Sequence, residues 1–330
     1  MALSVVMPVF NEAAQLPQTL AALVAALDGS GFDAEVVVVD DGSTDGSAEI
    51  AANAVAGLGP ARVIRQENNG RFEARRVGLR AAAHDLVLLL DGRVQLDRGA
   101  LSYVRERVEA GADVWTAHVD IDADGNPYAI FWKLIAELGW SDYFDDPRET
   151  SFGLEDFDRF PKGTGCFLVP RRLLLDALAA FRSHYADLRH ANDDTPLLRW
   201  IAERTRINVS PQFRSTYRPR MTLEAFLRHS FHRGLVFLDG HGRRESRFFP
   251  AAVAFYPASA LLVAAAARKL LVLPLSLLGV STAAAGFGVL RKRDSTEVAS
   301  LALLSPVYAV AHGAGMWRGL FEIGAARRRR

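Results

Sequence analysis

A chain of 330 residues has room for one large domain or two ordinary ones, with a sizeable core. Its formal charge of +1 argues against a nucleic-acid-binding protein. The single cysteine, Cys166, excludes an internal disulfide and a cysteine-cluster zinc site.

The opening residues run straight into Leu3-Ser4-Val5-Val6-Met7, without the basic start and cleavage site of a signal peptide, so the first half of the chain is expected in the cytosol. Leu3–Phe10 reads as a buried strand ending at Pro8-Val9-Phe10-Asn11-Glu12. A helix follows with Leu16, Leu20, Leu23 and Leu27 on one face and Pro17 in its first turn. Val36–Val39, four β-branched residues in a row, predicts a parallel strand covered on both faces. It ends on Asp40 and Asp41, then Gly42, Ser43 and Thr44-Asp45-Gly46-Ser47. Ligands of open α/β sheets bind at the carboxyl ends of strands, so a site is expected here. Carboxylates at that place suit hydrogen bonds to a base or ribose, or a cation. The plainer alternative is an acidic turn that only caps the next helix.

A helix around 48–55, a short strand at Arg62–Arg65 and a turn at Asn69-Gly70 follow. A helix near 72–83 comes next, in a stretch with Arg71, Arg75, Arg76 and Arg80. Leu86–Leu90 is another all-apolar strand, ending on Asp91-Gly92-Arg93. Leu101–Glu109 reads as helix and Val114–Ile121 as strand. This alternation predicts an α/β fold with a doubly wound parallel sheet.

Further on, Tyr128–Trp140 has the pattern of an aromatic, amphipathic helix: an ordinary packed helix, or the wall of an acceptor or lipid groove. Gly163, Thr164 and Gly165 enter a strand, and glycines there permit close backbone approach to a ligand. Asp193 and Asp194 precede Thr195-Pro196 at a helix start. They either cap that helix or, as adjacent carboxylates that raise one pKa, supply a base near neutral pH. His229 and His232, spaced i, i+3 beside Arg233, are read as packing or acceptor contacts rather than metal ligands. From 249 the character changes. Ala251–Ala267, Leu270–Leu290 and Val298–Trp317 are apolar runs, and about 20 such residues span a bilayer. With Arg291-Lys292-Arg293 and Arg327–Arg330 on the cytosolic side, a hairpin over 251–290 would cross and 298–320 would lie at the interface or re-enter; three full spans are the alternative. The expected division is 1–248 for the α/β domain and 249–330 for membrane-associated helices.

In order, the stretches at 8–12 and 36–47, Asn69-Gly70 with Ala74-Arg75-Arg76-Val77-Gly78, and Leu88-Leu89-Leu90-Asp91 resemble the family 2 inverting glycosyltransferases over about residues 3–235. The resemblance implies the GT-A fold and a nucleoside-diphosphate sugar donor of UDP or GDP type. It places Pro8, Glu12, Asp40, Asp41 and Arg75 at the nucleotide, Asp91 at the ribose or a metal, and Gly163, Thr164 and Gly165 behind the donor sugar. Asp194 takes the place of the catalytic base, with Asp193 beside it. His229 to Arg233 resembles the family's Gln-x-x-Arg-Trp segment, with Gly234 where the tryptophan belongs. Arg93 stands where the Asp-x-Asp motif has its second acid. A Mg²⁺ or Mn²⁺ ion would therefore keep Asp91 alone of that motif, and Arg93 offers a fork of donors for the diphosphate instead. The implied enzyme transfers a sugar to a hydroxyl of a lipid-linked or polysaccharide acceptor, in the inner or plasma membrane with its catalytic domain cytoplasmic. Two rival readings are a non-catalytic nucleotide-sugar- or lipid-binding partner of another transferase, which Arg93 favours, and a nucleotidyltransferase. The lack of a Gly-rich basic loop after the first strand counts against the latter.

Overall fold

The computed structural model describes all residues except 56–58, 186, 193, 220 and 329–330, so Asp193 lies outside the described residues. In chain order the elements are β1 (Ala2–Val9), α1 (Leu16–Leu27), β2 (Asp33–Asp40), α2 (Ser47–Val55), β3 (Ala61–Arg65), α3 (Arg71–Ala81), β4 (Leu86–Leu90), β5 (Val94–Leu96) and α4 (Ala100–Glu109). Then come β6 (Trp115–Thr116), β7 (His118–Ile121), α5 (Pro127–Gly139), α6 (Ser141–Phe144), β8 (Thr150–Phe152), β9 (Cys166–Pro170), α7 (Arg171–Ala180) and α8 (Thr195–Ala202). The chain finishes with β10 (Ile207–Val209), β11 (Arg214–Tyr217), α9 (Leu223–Leu235), α10 (Phe237–His241), α11 (Phe249–Arg268), α12 (Val272–Leu290) and α13 (Ser295–Arg328). Contacts divide it into two units. One comprises Met1–Asp122, Trp140–Arg182 and Asp193–Arg218; the other comprises Ala123–Gly139, Ser183–Asn192 and Pro219–Arg330.

The first unit is built on an eight-stranded sheet of order β3-β2-β1-β4-β9-β6-β10-β8. The four strands β3-β2-β1-β4 are parallel, as the alternating pattern predicts, with Val5 opposite both Val36 and Leu88. Their side chains alternate between two cores. Val5, Met7, Val36, Val38 and Leu88 meet α1 and α4, while Val6, Val37, Val39, Val87 and Leu89 meet the face with α3, α7 and α8. Burial on both faces is why these strands are apolar without interruption. Strand order reverses between β1 and β4, which opens a crevice beyond their carboxyl ends.

The sheet is mixed rather than wholly parallel: β9 runs antiparallel between β4 and β6, and β8 antiparallel to β10. The strand expected over 114–121 is broken at Ala117. The Ala117 N–H still donates to Cys166, but the His118 N–H turns to Phe213, and β7 joins a second sheet of order β5-β11-β7. Helix α3 lies against β1 through Gly78, where a Cβ would collide with the Val6 side chain.

In the second unit, α9 and α13 cross backbone to backbone. A Cβ on Gly234 would collide with the His312 carbonyl, and one on Gly315 with that of Phe231. Close crossing at small residues is how helices pack in and at membranes. Phe131 of α5 meets Phe226 and Tyr308, with centroids 5.3 and 5.5 Å apart. Arg293 pairs with Glu137 at 2.7 Å and Lys133 with Glu297 at 3.4 Å, tying the start of α13 to α5. Helices α11, α12 and α13 are long and apolar enough to cross a membrane. The first two are almost uncovered by protein and the third is partly covered.

Candidate active site

The turns after β1 and β2 are fastened together. Asn11 adopts a left-handed conformation (φ 53°), its N–H donates to Ser43 Oγ at 3.0 Å, and its Oδ1 accepts from the Thr44 N–H at 2.9 Å. The Glu12 N–H donates to Ser47 Oγ at 2.8 Å and the Ala13 N–H to Asp45 Oδ2 at 3.0 Å. Burial works to raise the Asp45 pKa, but the hydrogen bonds from Ser47 and Ala13 hold it below the usual carboxylate range. The acidic turn thus shapes the β1 turn as well as starting α2.

Asp40 is fully buried, accepts from the Ser43 N–H at 3.3 Å and lies 3.4 Å from Arg65 Nε. Asp41 accepts from Gln66 Nε2 at 2.7 Å and from the Asn69 and Gly70 N–H groups, each at 2.9 Å. Asp41 therefore clamps the turn that launches α3, where Gly70 holds φ at 89°.

That turn aims Arg71 and Arg75, one helical turn apart on α3, at the end of β4. Arg75 is 1% exposed. Its Nη2 donates to Asp91 Oδ1 at 2.9 Å and to the Thr164 carbonyl at 3.3 Å, and its Nη1 donates to Asp194 Oδ1 at 3.1 Å. Arg71, half-exposed, spans the same two carboxylates, 3.7 Å from Asp91 Oδ2 and 3.5 Å from Asp194 Oδ2. Thr164 Oγ1 also donates to Asp194. The Gly165 carbonyl accepts from the Asp91 N–H at 2.8 Å, and a Cβ on Gly165 would press to 3.2 Å from Asp91 Oδ2. The Gly163 carbonyl accepts from Thr116 Oγ1 at 3.2 Å.

Asp194 occupies the N-cap position of α8 but makes no side-chain cap hydrogen bond. Its carboxylate meets the two arginines. Burial works to raise its pKa, but the charges of Arg71 and Arg75 and the Thr164 hydroxyl hold it well below the usual carboxylate range.

Arg93, read as a donor for the diphosphate, has an acidic partner in the chain. Its guanidinium pairs with Glu12, both side chains being largely buried, so two residues assigned to the nucleotide meet each other. Pro8 is a buried residue of β1. His229, His232 and Arg233 belong to the second unit, where His229 stands edge-on to Trp132 at 4.8 Å and Arg233 lies 5.4 Å over the same ring. Among the described residues no group of three or more His, Cys, Asp or Glu side chains is placed to hold a metal ion. A divalent cation needs several anionic oxygens. Asp91 offers one carboxylate, already ion-paired to two guanidiniums.

The structure thus brings Arg75, Asp91, Thr164, Gly165 and Asp194 together. Arg71 is the member that the motifs leave out, although its i, i+4 spacing to Arg75 was there to read.

Comparison with known proteins bears on this site. The family model described as glycosyl transferase family 2 matches residues 4–171, half of the chain. An undecaprenyl-phosphate 4-deoxy-4-formamido-L-arabinose transferase of Pseudomonas aeruginosa (strain LESB58) is 40% identical over 182 residues, 54% of this chain and 50% of that protein. The protein of the same description from Pseudomonas fluorescens (strain SBW25) is 29% identical over 182 residues, 54% of this chain and 49% of that one. The chain spans about half the length of these curated relatives. The crystal structure of residues 1–349 of S. aureus TarS in complex with UDP aligns with a TM-score of 0.49 at 16% identity, covering 100% of this chain and 92% of that one. By the extent of the family match, the chain belongs to glycosyl transferase family 2.

Proposed function

We propose that the protein is an inverting glycosyltransferase. It moves a sugar from a UDP- or GDP-type donor to a hydroxyl of a lipid-linked or polysaccharide acceptor at the cytoplasmic face of the inner or plasma membrane. The observation that carries this is the cluster of Asp91, Arg75, Arg71 and Asp194 at the end of β4. Two cations there face two carboxylates. A donor diphosphate brings further negative charge, which the cluster balances by turning Arg71, the more exposed guanidinium, toward it. Asp194 then loses a cationic neighbour and its basicity rises. It takes the acceptor proton as the acceptor oxygen bonds to the anomeric carbon and the bond to the diphosphate breaks on the opposite face. Single displacement inverts the anomeric centre.

The donor set also leads to an expected result: turnover persists in excess chelator, because the arginines and not an ion meet the diphosphate. Complete loss, restored by Mn²⁺, would refute this.

Three features support a lipid-linked acceptor. They are the membrane-length helices, the names of the relatives, and an apolar cavity of about 660 Å³ lined by Leu227, Leu278, Val307 and Val310 among others. The bare α11–α12 pair fits a crossing hairpin. Helix α13, packed along α5 and α9, fits an interfacial element.

One observation favours a second reading, in which the acceptor is a lipid phosphate. Asp194 is held poorly basic, and a phosphate oxygen is already anionic and needs no base. Asp194 would then serve to hold the arginines in place. Incubating membranes that carry the protein with a panel of nucleotide sugars and extracted lipids, then analysing the lipid fraction by mass spectrometry, identifies donor and acceptor together. No mass shift with any donor overturns the transferase reading.

A further inference from the structure

Phe157, 1% exposed, lies in a single turn of 3₁₀ helix, Phe157–Arg159, and cations from two different parts of the first unit meet its ring. Lys162 Nζ is 4.3 Å from the ring centroid and Arg199 Cζ is 4.4 Å from it. Both lie within the roughly 6 Å at which a cation is attracted to an aromatic face. Lys162 stands in the run 160–165, which is neither helix nor strand and so depends on side chains to hold its place. Its ammonium donates to the Phe157 and Phe160 carbonyls, the latter at 2.9 Å, and lies 5.7 Å over Trp140. Arg199 belongs to α8 and pairs with Asp158, the neighbour of Phe157, at 3.3 Å. The run that holds Lys162 also carries Thr164, and the helix that holds Arg199 begins directly after Asp194. These are the two residues that meet when Thr164 Oγ1 donates to the Asp194 carboxylate.

We propose that Phe157 is a positioning residue for transfer: by binding a cation of the loop and a cation of α8, its ring sets the spacing at which the Thr164 hydroxyl meets Asp194. The inference rests on the reading of the Arg75–Asp194 cluster as the transfer site. Misplacement of a reacting group by about 1 Å can cost on the order of 10²-fold in rate, so a device that fixes this spacing matters to turnover. A ring that only fills the core would, when lost, lower the amount of folded protein. A positioning ring lowers the rate of each folded molecule and acts through Thr164.

The test uses the full chain in membranes, with the nucleotide sugar and lipid that give product in the assay above and with UDP and GDP as binding probes. Phe157→Leu keeps an apolar side chain but offers no aromatic face. It is expected to lower kcat about 10-fold per nucleotide-binding site, with nucleotide Kd within about twofold. Lys162→Met and Arg199→Met keep the apolar stems and remove the charges. Each should lower kcat by a few-fold, and they decide the matter if Phe157→Leu does not fold. In the Thr164→Val background, which lacks the hydroxyl, Phe157→Leu should add no more than about a twofold loss, because residues acting through one group are not additive. Independent, multiplying losses overturn the proposal. So does a nucleotide Kd weakened about tenfold by Lys162→Met, since that lysine would then meet the donor itself. An unchanged kcat in Phe157→Leu while Arg75→Ala is strongly impaired overturns it too, and leaves the site reading intact. Normal transfer by Arg75→Ala instead overturns the site reading, and with it any action of Phe157 on that cluster.

Discussion

With a hydroxyl acceptor, Asp194→Asn lowers transfer by about 10²–10⁴-fold, the usual cost of removing a general base, while nucleotide binding stays close to normal. The substitution is informative because the usual objection does not apply. Asn caps helices as well as Asp, and the Asp194 side chain does not cap α8 in any case. Removing one carboxylate leaves Arg71 and Arg75 facing Asp91 alone, so affinity for an anionic nucleotide should hold or rise. Steady-state transfer and nucleotide titration on the same preparation give both quantities. A folded Asp194→Asn protein that transfers at near-normal rate would remove the base assignment and leave the lipid-phosphate acceptor as the surviving reading.

Arg75→Ala has the largest combined effect expected. The guanidinium is buried and bridges Asp91 and Asp194. Without it two carboxylates share a partly buried site with the half-exposed Arg71 between them. Breaking a buried pair by removing one partner costs about 3–5 kcal/mol, a fall in Tm on the order of 10 °C for a domain of this size. Transfer should fall by about 10²–10³-fold, as when one preorganised donor is removed from an active site. Arg75→Lys should rescue little, because a single ammonium cannot reach both carboxylates and the Thr164 carbonyl at once. Thermal unfolding and nucleotide titration check this pair. An Arg75→Ala protein of unaltered Tm and rate would show that the bridge is incidental.

Strands β1, β2 and β4 were plain in the sequence because burial on both faces leaves unbroken apolar runs that end on turn residues. Strands β5, β8, β10 and β11, of three or four residues, were not: so short a piece carries no period. The break at Ala117 was hidden for a related reason, since the side-chain pattern continues while only the backbone partner changes. In the candidate site, motifs single out Asp91, Arg75 and Asp194, but their ionic connection was not legible, because Arg75 and Asp194 lie 119 residues apart. The Arg93–Glu12 pair was missed for the same reason. A motif assigns each residue a ligand and says nothing of whether two such residues neutralise each other.

The order in which the chain visits its two units has a practical meaning. It passes between them five times, at 122/123, 139/140, 182/183, 192/193 and 218/219. Proteins whose anchor follows their catalytic part as a simple tail can be cut once, or given another anchor, with little loss. Here a cut at 248 would strip α5, α9 and the Ser183–Asn192 segment of the helices they pack on, and would leave apolar faces open to water. No single trim separates a catalytic module from a removable anchor. Because the chain returns to each unit after leaving it, neither can be exchanged for a foreign counterpart by a single cut.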